Sequence, residues 1–259
     1  MTGYLTSLFG LKGKVAVVAG ASGHLCSGMA EALAKAGASV AVIDKSEAGA
    51  ESVCRKIRDG GGNAIHHGLD VTSRDSHERC LEAVLGVFGD VDILINGAGI
   101  NAPTPFFDIT IEEWHAILDT HLTGTFLACQ VFGRHMVDRK KGSIINLSSA
   151  SSGPPLSKAF TYSAAKAGIK NLTQNLAREW APHNVRVNAL RPGFFPTEWS
   201  MKNFITPERE RAILSHTPMG RYGRPEELIG AVVWLASDAA GFVTGAEIAV
   251  DGGFTCMTI

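Results

Sequence analysis

"VVAGASGHLCSGMA", Val17 to Ala30, is the stretch whose reading decides the fold. The apolar run Lys14–Val18 enters a turn holding Gly20 and Gly23, and a helical pattern over Ser27–Ala36 leaves it. A helix that starts after such a turn aims its free backbone N–H groups and its dipole at an anion such as a pyrophosphate. Gly20 permits the tight turn, and Gly23 lets the backbone come close to the anion. Strand-to-helix turns also carry two glycines for backbone reasons alone, and His24 and Cys26 stand where the smallest residues usually do. The rest of the chain must therefore separate a phosphate turn from a look-alike.

The strand–helix alternation continues through all 259 residues. Lys14–Val18, Ser39–Ile43, Ala64–Leu69, Val91–Ile95, Ser143–Leu147, Val185–Ala189 and Glu247–Val250 read as strands, several of them apolar at nearly every position. That pattern fits parallel strands covered on both faces. Helical spacing appears over Ser27–Ala36, Glu47–Asp59, Arg74–Phe88, Ile111–Val137, Thr161–Trp180 and Pro225–Leu235, with Gly37 and Gly89 placed as left-handed caps. No Pro- or Ser-rich linker interrupts the alternation. The expectation is one α/β domain over 1–259, a Rossmann-type doubly wound parallel sheet of about seven strands with helices on both faces. The stretch Glu198–Met219 lacks a strand and reads either as a substrate lid, at about 195–220, or as a pair of surface helices.

Composition narrows the function. A formal net charge of −1 with dispersed Lys and Arg gives no basic stripe for nucleic acid or an anionic membrane. No apolar run approaches the ~20 residues that span a bilayer. The five cysteines are odd in number and form no CxxC pair, so free thiols in a reducing compartment are expected and no metal site is. With no basic-plus-apolar leader in view, the expectation is a cytoplasmic protein with a small-molecule partner.

Ligands of open α/β sheets bind beyond the carboxyl ends of the strands, near the switch in strand order. There the turn Gly20, Ser22, Gly23, His24 and Leu25 meets other candidate binding residues. The second strand ends at Asp44, about 20 residues on, where a carboxylate can accept hydrogen bonds from an adenosine ribose. That carboxylate repels a 2′-phosphate and so favours NAD over NADP, although Lys45 beside it could tolerate the phosphate and Asp44 also suits a helix N-cap. Asp70 and Val71 close the third strand and can meet the adenine. Asn96, Ala98 and Gly99 form a turn with room for a flat cofactor.

Tyr162 and Lys166 stand at i,i+4, which puts phenol and ammonium on one helix face. A nearby cation favours phenolate and makes a usable general acid/base. Ser149 ends the strand just upstream and can place a hydroxyl beside that phenol. Taken together, the Gly20 turn, Asp70, Asn96-Gly97-Ala98-Gly99, Ser149, Tyr162-x-x-x-Lys166 and Pro192-Gly193-Phe194-Phe195-Pro196-Thr197 resemble the short-chain dehydrogenase/reductase family over essentially the whole chain. The resemblance implies hydride transfer between NAD(P) and a secondary alcohol or ketone. It implies that Tyr162 passes the proton, that Ser149 polarises the substrate oxygen, and that Lys166 binds the nicotinamide ribose and depresses the Tyr162 pKa. Pro192, Gly193, Phe195 and Thr197 would hold the carboxamide and pyrophosphate.

The sequence departs from the family at three places. Ala19 replaces a turn Thr, His24 and Cys26 replace two glycines, and His121 stands where a catalytic Asn helps hold a water. A histidine there either relays a proton, its ordinary pKa lying near neutrality, or fills space. Gly23–Ser27, Arg191–Glu198 and His216–Gly223 resemble a sugar-acid group within the family, containing gluconate 5-dehydrogenase-like and fructuronate reductase (mannonate oxidoreductase)-like enzymes. A sugar acid needs a cation, for which Arg191, Lys202, His216 and Arg221 are candidates. Asn101 and Ser151 are candidate hydroxyl contacts, and Phe194 and Trp199 candidate walls. Alternatives are a reductase of neutral sugars or 3-oxoacyl thioesters, or a weakly catalytic dinucleotide-binding protein. The resemblance also implies a homotetramer, to which the apolar tail from Phe242 would contribute either an interface or an edge strand.

Overall fold

Strand β1 (Val15–Ala19) is buried at every position, and its side chains divide by parity between two cores. Ala16 and Val18 point to one core; Val15, Val17 and Ala19 point to the other. This is the period-two alternation of a strand covered on both faces. The computed structural model describes residues 3–203 and 205–257, with the backbone alone for Trp199 and Asn203. The remaining strands are β2 (Ser39–Asp44), β3 (Ala64–Gly68), β4 (Ile93–Asn96), β5 (Gly142–Leu147), β6 (Val185–Pro192) and β7 (Glu247–Val250). They form one seven-stranded parallel sheet in the order β3-β2-β1-β4-β5-β6-β7. The chain order reverses between β1 and β4, which sets the switch point there.

Among the described residues ten α-helices connect and cover the strands: α1 (Gly3–Phe9), α2 (His24–Lys35), α3 (Glu47–Asp59), α4 (Arg74–Phe88), α5 (Ile111–Leu118), α6 (Gly124–Arg139), α7 (Phe160–Trp180), α8 (Glu198–Asn203), α9 (Pro207–Ser215) and α10 (Glu226–Ala236). Met29, Leu33, Ile57, Leu228 and Val232 pack α2, α3 and α10 on one face. Cys80, Val84, Phe132, Met136 and Ala177 pack α4, α6 and α7 on the other. Each large side chain of this kind contributes about 1.5–3 kcal/mol when fully buried, so these two rows dominate the stability of the helix–sheet contacts. Ser46, Ser73, Thr110 and Thr206 each accept a hydrogen bond from the first turn of the helix they precede, and Gly89 closes α4 in the left-handed region at φ 77°.

The expected strands all appear, and β6 runs on to Pro192. Two helical features differ from expectation, and a third stretch takes one of its two expected forms. Helix α2 starts at His24 rather than Ser27. The expected helix Ile111–Val137 is split by a π-type turn at Asp119–Thr123, where Thr120 and Thr125 bond back to the carbonyls of Ala116 and His121 at 2.8 and 2.7 Å. The irregular stretch after residue 197 holds α8 and α9, the latter started by Thr206 with Pro207 in its first turn. Among the described residues no helix is long and apolar enough to cross a membrane, and the five cysteines are free, only Cys256 being exposed.

Candidate active site

Parallel register places Ala19 opposite Ile43 on one side and Asn96 on the other, and Leu147 opposite Leu190. The carboxyl ends of β1, β2, β4, β5 and β6 therefore share one edge, and three adjoining clefts run along it. The first, about 510 Å³, is bordered by Gly20, Asp44, Lys45, Asp70, Val71, Ala98 and Gly99. A second, about 350 Å³, lies between the Gly20 turn and the catalytic side chains, and includes Gly23, His24, Leu25, Pro192, Gly193 and Phe195. The third, about 550 Å³, opens beyond Ser149 and Tyr162 towards α8 and α9. A larger groove of about 610 Å³ lies elsewhere, among long side chains of α4, α6 and α7, and none of the four expected catalytic side chains borders it.

The first two clefts fit a dinucleotide because backbone, not side chain, forms their floor. Gly20 has φ +76°, and a Cβ there would lie 2.6 Å from the Ala98 nitrogen, so the β1 and β4 turns meet main chain to main chain. Helix α2 has Gly23 at its N-cap with no side-chain cap, which leaves its first N–H groups facing the turn. The Cys26 thiol occupies the space that a Cβ on Gly97 would fill, at 2.2 Å, so Gly97 makes room for the side chain that replaced a turn glycine. Burial pushes that thiol up to about 12, leaving it an inert packing group.

At the far end, the Asp44 carboxylate accepts from the Ser22 N–H at 3.0 Å and the Ser46 N–H at 2.9 Å. It braces the turn and keeps lone pairs for a ribose. Lys45 is largely exposed and lies 3.4 Å from Asp70. Asp70 accepts from the Thr72 hydroxyl at 2.7 Å and the Thr72 N–H at 3.0 Å, which together hold its carboxyl below the ordinary range. Two expected cofactor residues make contacts within the protein. The Asn96 side chain donates to Asn146 at 2.9 Å inside the sheet, and Asn146 donates to Thr173, so Asn96 ties strand ends together rather than facing a cleft. The Thr197 hydroxyl accepts from the Ser200 N–H at 3.0 Å and caps α8.

Ser149, Tyr162, Lys166 and His121 do come together, around the second cleft. Lys166 is buried, donates from Nζ to the Leu147 carbonyl at 2.6 Å, and stands 5.5 Å from the centre of the Tyr162 ring. Burial lowers its pKa to about 8. For Tyr162, burial raises the phenol pKa and a hydrogen bond with Ser149 works against that rise. The expected depression below the ordinary value is thus absent in the free chain, because desolvation outweighs the hydrogen bond.

His121 also departs from expectation. Burial, aided by the Lys166 charge, pushes its pKa down to about 3, which favours a neutral ring at physiological pH and works against a relay through imidazolium. Its Nε2 lies 2.7 Å from the Ile100 carbonyl and 3.1 Å from the Ile100 N–H, its ring meets Tyr162 edge-on at 5.1 Å, and Nδ1 has no partner among the described residues. A Cβ on Gly99 would lie 2.0 Å from the His121 ring, so this packing needs the glycine. The imidazole fastens the Gly99–Asn101 loop to the helix carrying it.

Sequence reasoning missed the group that fastens the Ser149 loop. Glu247 accepts from the Ser148 hydroxyl at 2.6 Å and the Ser152 hydroxyl at 2.8 Å, on either side of Ser149. Arg191 pairs with Glu247 at 3.1 Å and donates to the Ala150 carbonyl at 3.3 Å, and Lys170 adds a third contact at 3.2 Å. Burial opposes the Glu247 charge, but the two hydroxyls and the cations hold its carboxyl below the ordinary range. Arg191 is thereby corrected from a substrate cation to a structural one.

The other expected substrate residues divide. Asn101, Ser151 and Phe194 border the third cleft, with Ser151 donating to Ser149 at 3.1 Å. The Trp199 side chain lies outside the described residues. Arg209, Leu156, Ile205 and Ser200 border the cleft without having been singled out. Only Arg209 carried a signal, as part of the charged run Glu208–Arg211.

A family model described as enoyl-(acyl carrier protein) reductase matches residues 20–255. The uncharacterized oxidoreductase UxuB of Bacillus subtilis (strain 168) is 42% identical over 265 residues, covering 94% of this chain and 95% of that protein. D-threitol dehydrogenase of Mycolicibacterium smegmatis is 36% identical over 249 residues, 95% of each chain. The crystal structure of a gluconate 5-dehydrogenase from Burkholderia cenocepacia J2315 in complex with NADP and tartrate matches with a TM-score of 0.94 at 33% identity, covering 98% of this chain and 100% of that one. The chain belongs to the short-chain dehydrogenase/reductase family. Its reaction class is NAD(P)-dependent oxidation of CH–OH groups and reduction of the corresponding ketones.

Proposed function

We propose that the protein interconverts a secondary alcohol and a ketone on a sugar acid or polyol, with NAD favoured over NADP. One observation carries this reading: Ser149 and Tyr162 stand in the wall shared by the second and third clefts. In the oxidative direction Ser149 holds the substrate hydroxyl and Tyr162, as phenolate, takes its proton. Lys166 supplies the cation nearest the phenol ring. The residues along the first two clefts, among them Gly20, Asp44, Gly99 and Gly193, would hold a nicotinamide dinucleotide, which would supply the hydride chemistry beside Tyr162. Asn101, Ser151 and Ser200 offer polar contacts for further hydroxyls, between the apolar faces of Phe194 and Phe195. α8 and α9, which reach this cleft through Ser200 and Arg209, would serve as its lid.

The NAD preference rests on Asp44, whose charge opposes a 2′-phosphate, and on Lys45, whose ammonium is paired with Asp70. The free thiols support a reducing, cytoplasmic location. An exposed Phe126 on α6 and a half-exposed edge strand β7 support a homotetramer, which the size in solution tests. Initial rates with D-gluconate, D-mannonate, D-threitol and a 3-oxoacyl thioester, each with both cofactors, test the reaction. The expected result is turnover of one or more of the first three, with NAD at least about tenfold better than NADP, or ~1.4 kcal/mol. Exclusive reduction of the thioester would displace the substrate class. Cofactor binding without any turnover would displace the catalytic reading.

A further inference from the structure

A carboxylate in the third cleft needs a cation not already committed to another acid. Arg191 is taken by Glu247, and Arg221 forms a two-pronged pair with Glu227 at 2.8 and 2.7 Å. The His216 ring packs edge-on against Phe254 at 4.8 Å, and neither it nor Lys202 borders the cleft. Arg209 does. It is the cation among the lining residues, on the α9 side of the cleft that Ser149 and Tyr162 close at the other.

The Arg209 guanidinium has only weak, neutral partners. Its two terminal nitrogens lie 3.4 Å from the Ser157 carbonyl, and one lies 3.5 Å from the Ser157 hydroxyl. No ion pair of the described residues includes it. Neighbouring Glu208 pairs instead with Arg211. Leu156, Ile205, Phe194 and Phe195 stand around the same cleft, so a charge arriving there meets little competing polarity. A half-buried guanidinium with free donors, in a partly apolar wall, presents the planar fork that a carboxylate fills with two parallel hydrogen bonds.

We infer that Arg209 anchors the carboxylate of the substrate, so that the enzyme acts on a hydroxy acid in preference to the neutral polyol. The inference rests on the proposed reaction and deepens it: with the acid held by Arg209, a secondary hydroxyl further along the carbon chain reaches Ser149 and Tyr162. Ser157, now touching Arg209, releases it to the ligand.

Matched pairs that differ only in charge test this: D-gluconate against D-gluconamide, D-mannonate against D-mannonamide, each with wild type, Arg209→Gln and Arg209→Lys. Wild type should favour the acid. Arg209→Gln should lose about 30-fold in kcat/KM for the acid, equivalent to about 2 kcal/mol at 1.4 kcal/mol per decade, mainly through KM. The amide should change less than about threefold, and Arg209→Lys should fall between, keeping charge without the fork. NADH binding, followed by fluorescence, should match wild type in both variants, which separates a lost anchor from a damaged fold. Equal losses on acid and amide, or no loss on the acid, overturn the anchor and leave the oxidoreductase reading standing. Absence of turnover by wild type on every member overturns the proposed substrate class and the anchor with it.

Discussion

Lys166 is a charge that the fold holds out of water. Its pKa falls from 10.5 to about 8 through burial, so the folded chain binds this proton less tightly than the unfolded chain does. The sign follows: the cost is fully present below pH 8 and is relieved as the pH rises from 8 towards 10.5. At 1.36 kcal/mol per unit, the cost at neutral pH is about 3 kcal/mol. Lys166→Met should therefore abolish turnover yet stabilise the unliganded protein by that order at pH 7. Its advantage should shrink as denaturation is repeated at pH 8, 9 and 10. A variant less stable than wild type at pH 7, or an unchanging difference, would show that the ammonium is not held at a cost. The i,i+4 spacing showed that the Tyr162 and Lys166 groups share a face, but not that the lysine is dry. Burial depends on what β5 and the π-type turn bring over it. His121 carries the same lesson: its residue type pointed to titration near neutrality, whereas its surroundings keep it neutral.

At the scale of elements, the Ser149 loop is held by a strand about a hundred residues away. Glu247 opens β7 and grips both serines flanking Ser149, while Arg191 at the end of β6 grips the loop's main chain. Breaking a buried pair leaves the partner charge uncompensated, at about 3–5 kcal/mol. Glu247→Gln keeps the shape and one acceptor, so a smaller loss, about 2 kcal/mol, is expected by denaturant unfolding. The expected signature of positioning is a fall of about tenfold in kcat with KM little changed, measured well below the unfolding transition. Met136→Ala, in the opposite core, should lose comparable stability without losing kcat. If both variants lower kcat alike, Glu247 acts through stability alone. No local pattern in the sequence pairs residue 247 with residue 149, which is why this clamp was invisible there. The capping threonine and following proline that start α9 are local signals, in keeping with the helix-pair reading of that stretch. The π-type turn was hidden because residues on both sides keep helical spacing.

For the whole molecule, strand positions and the opening glycine turn were legible because both depend on short-range chemistry: β-branched runs on one hand, a positive φ at Gly20 on the other. Every expected strand lies within about two residues of an observed one at most ends, and β7 coincides with its expected range. The order of the sheet, the clefts along its edge and the placement of Arg209 at the third cleft are consequences of assembly, so only the resemblance to a family could anticipate part of them. The same assembly puts Tyr162 in the wall shared by the second and third clefts, where the proposed reaction needs its hydroxyl. The direct test is the steady-state rate of NADH formation by wild type and Tyr162→Phe on whichever of gluconate, mannonate or threitol is oxidised, with NADH binding measured on both. General acid–base catalysis contributes about 10²–10⁴-fold, so kcat should fall about 10³-fold with binding unchanged. Turnover by Tyr162→Phe within about tenfold of wild type would contradict that role.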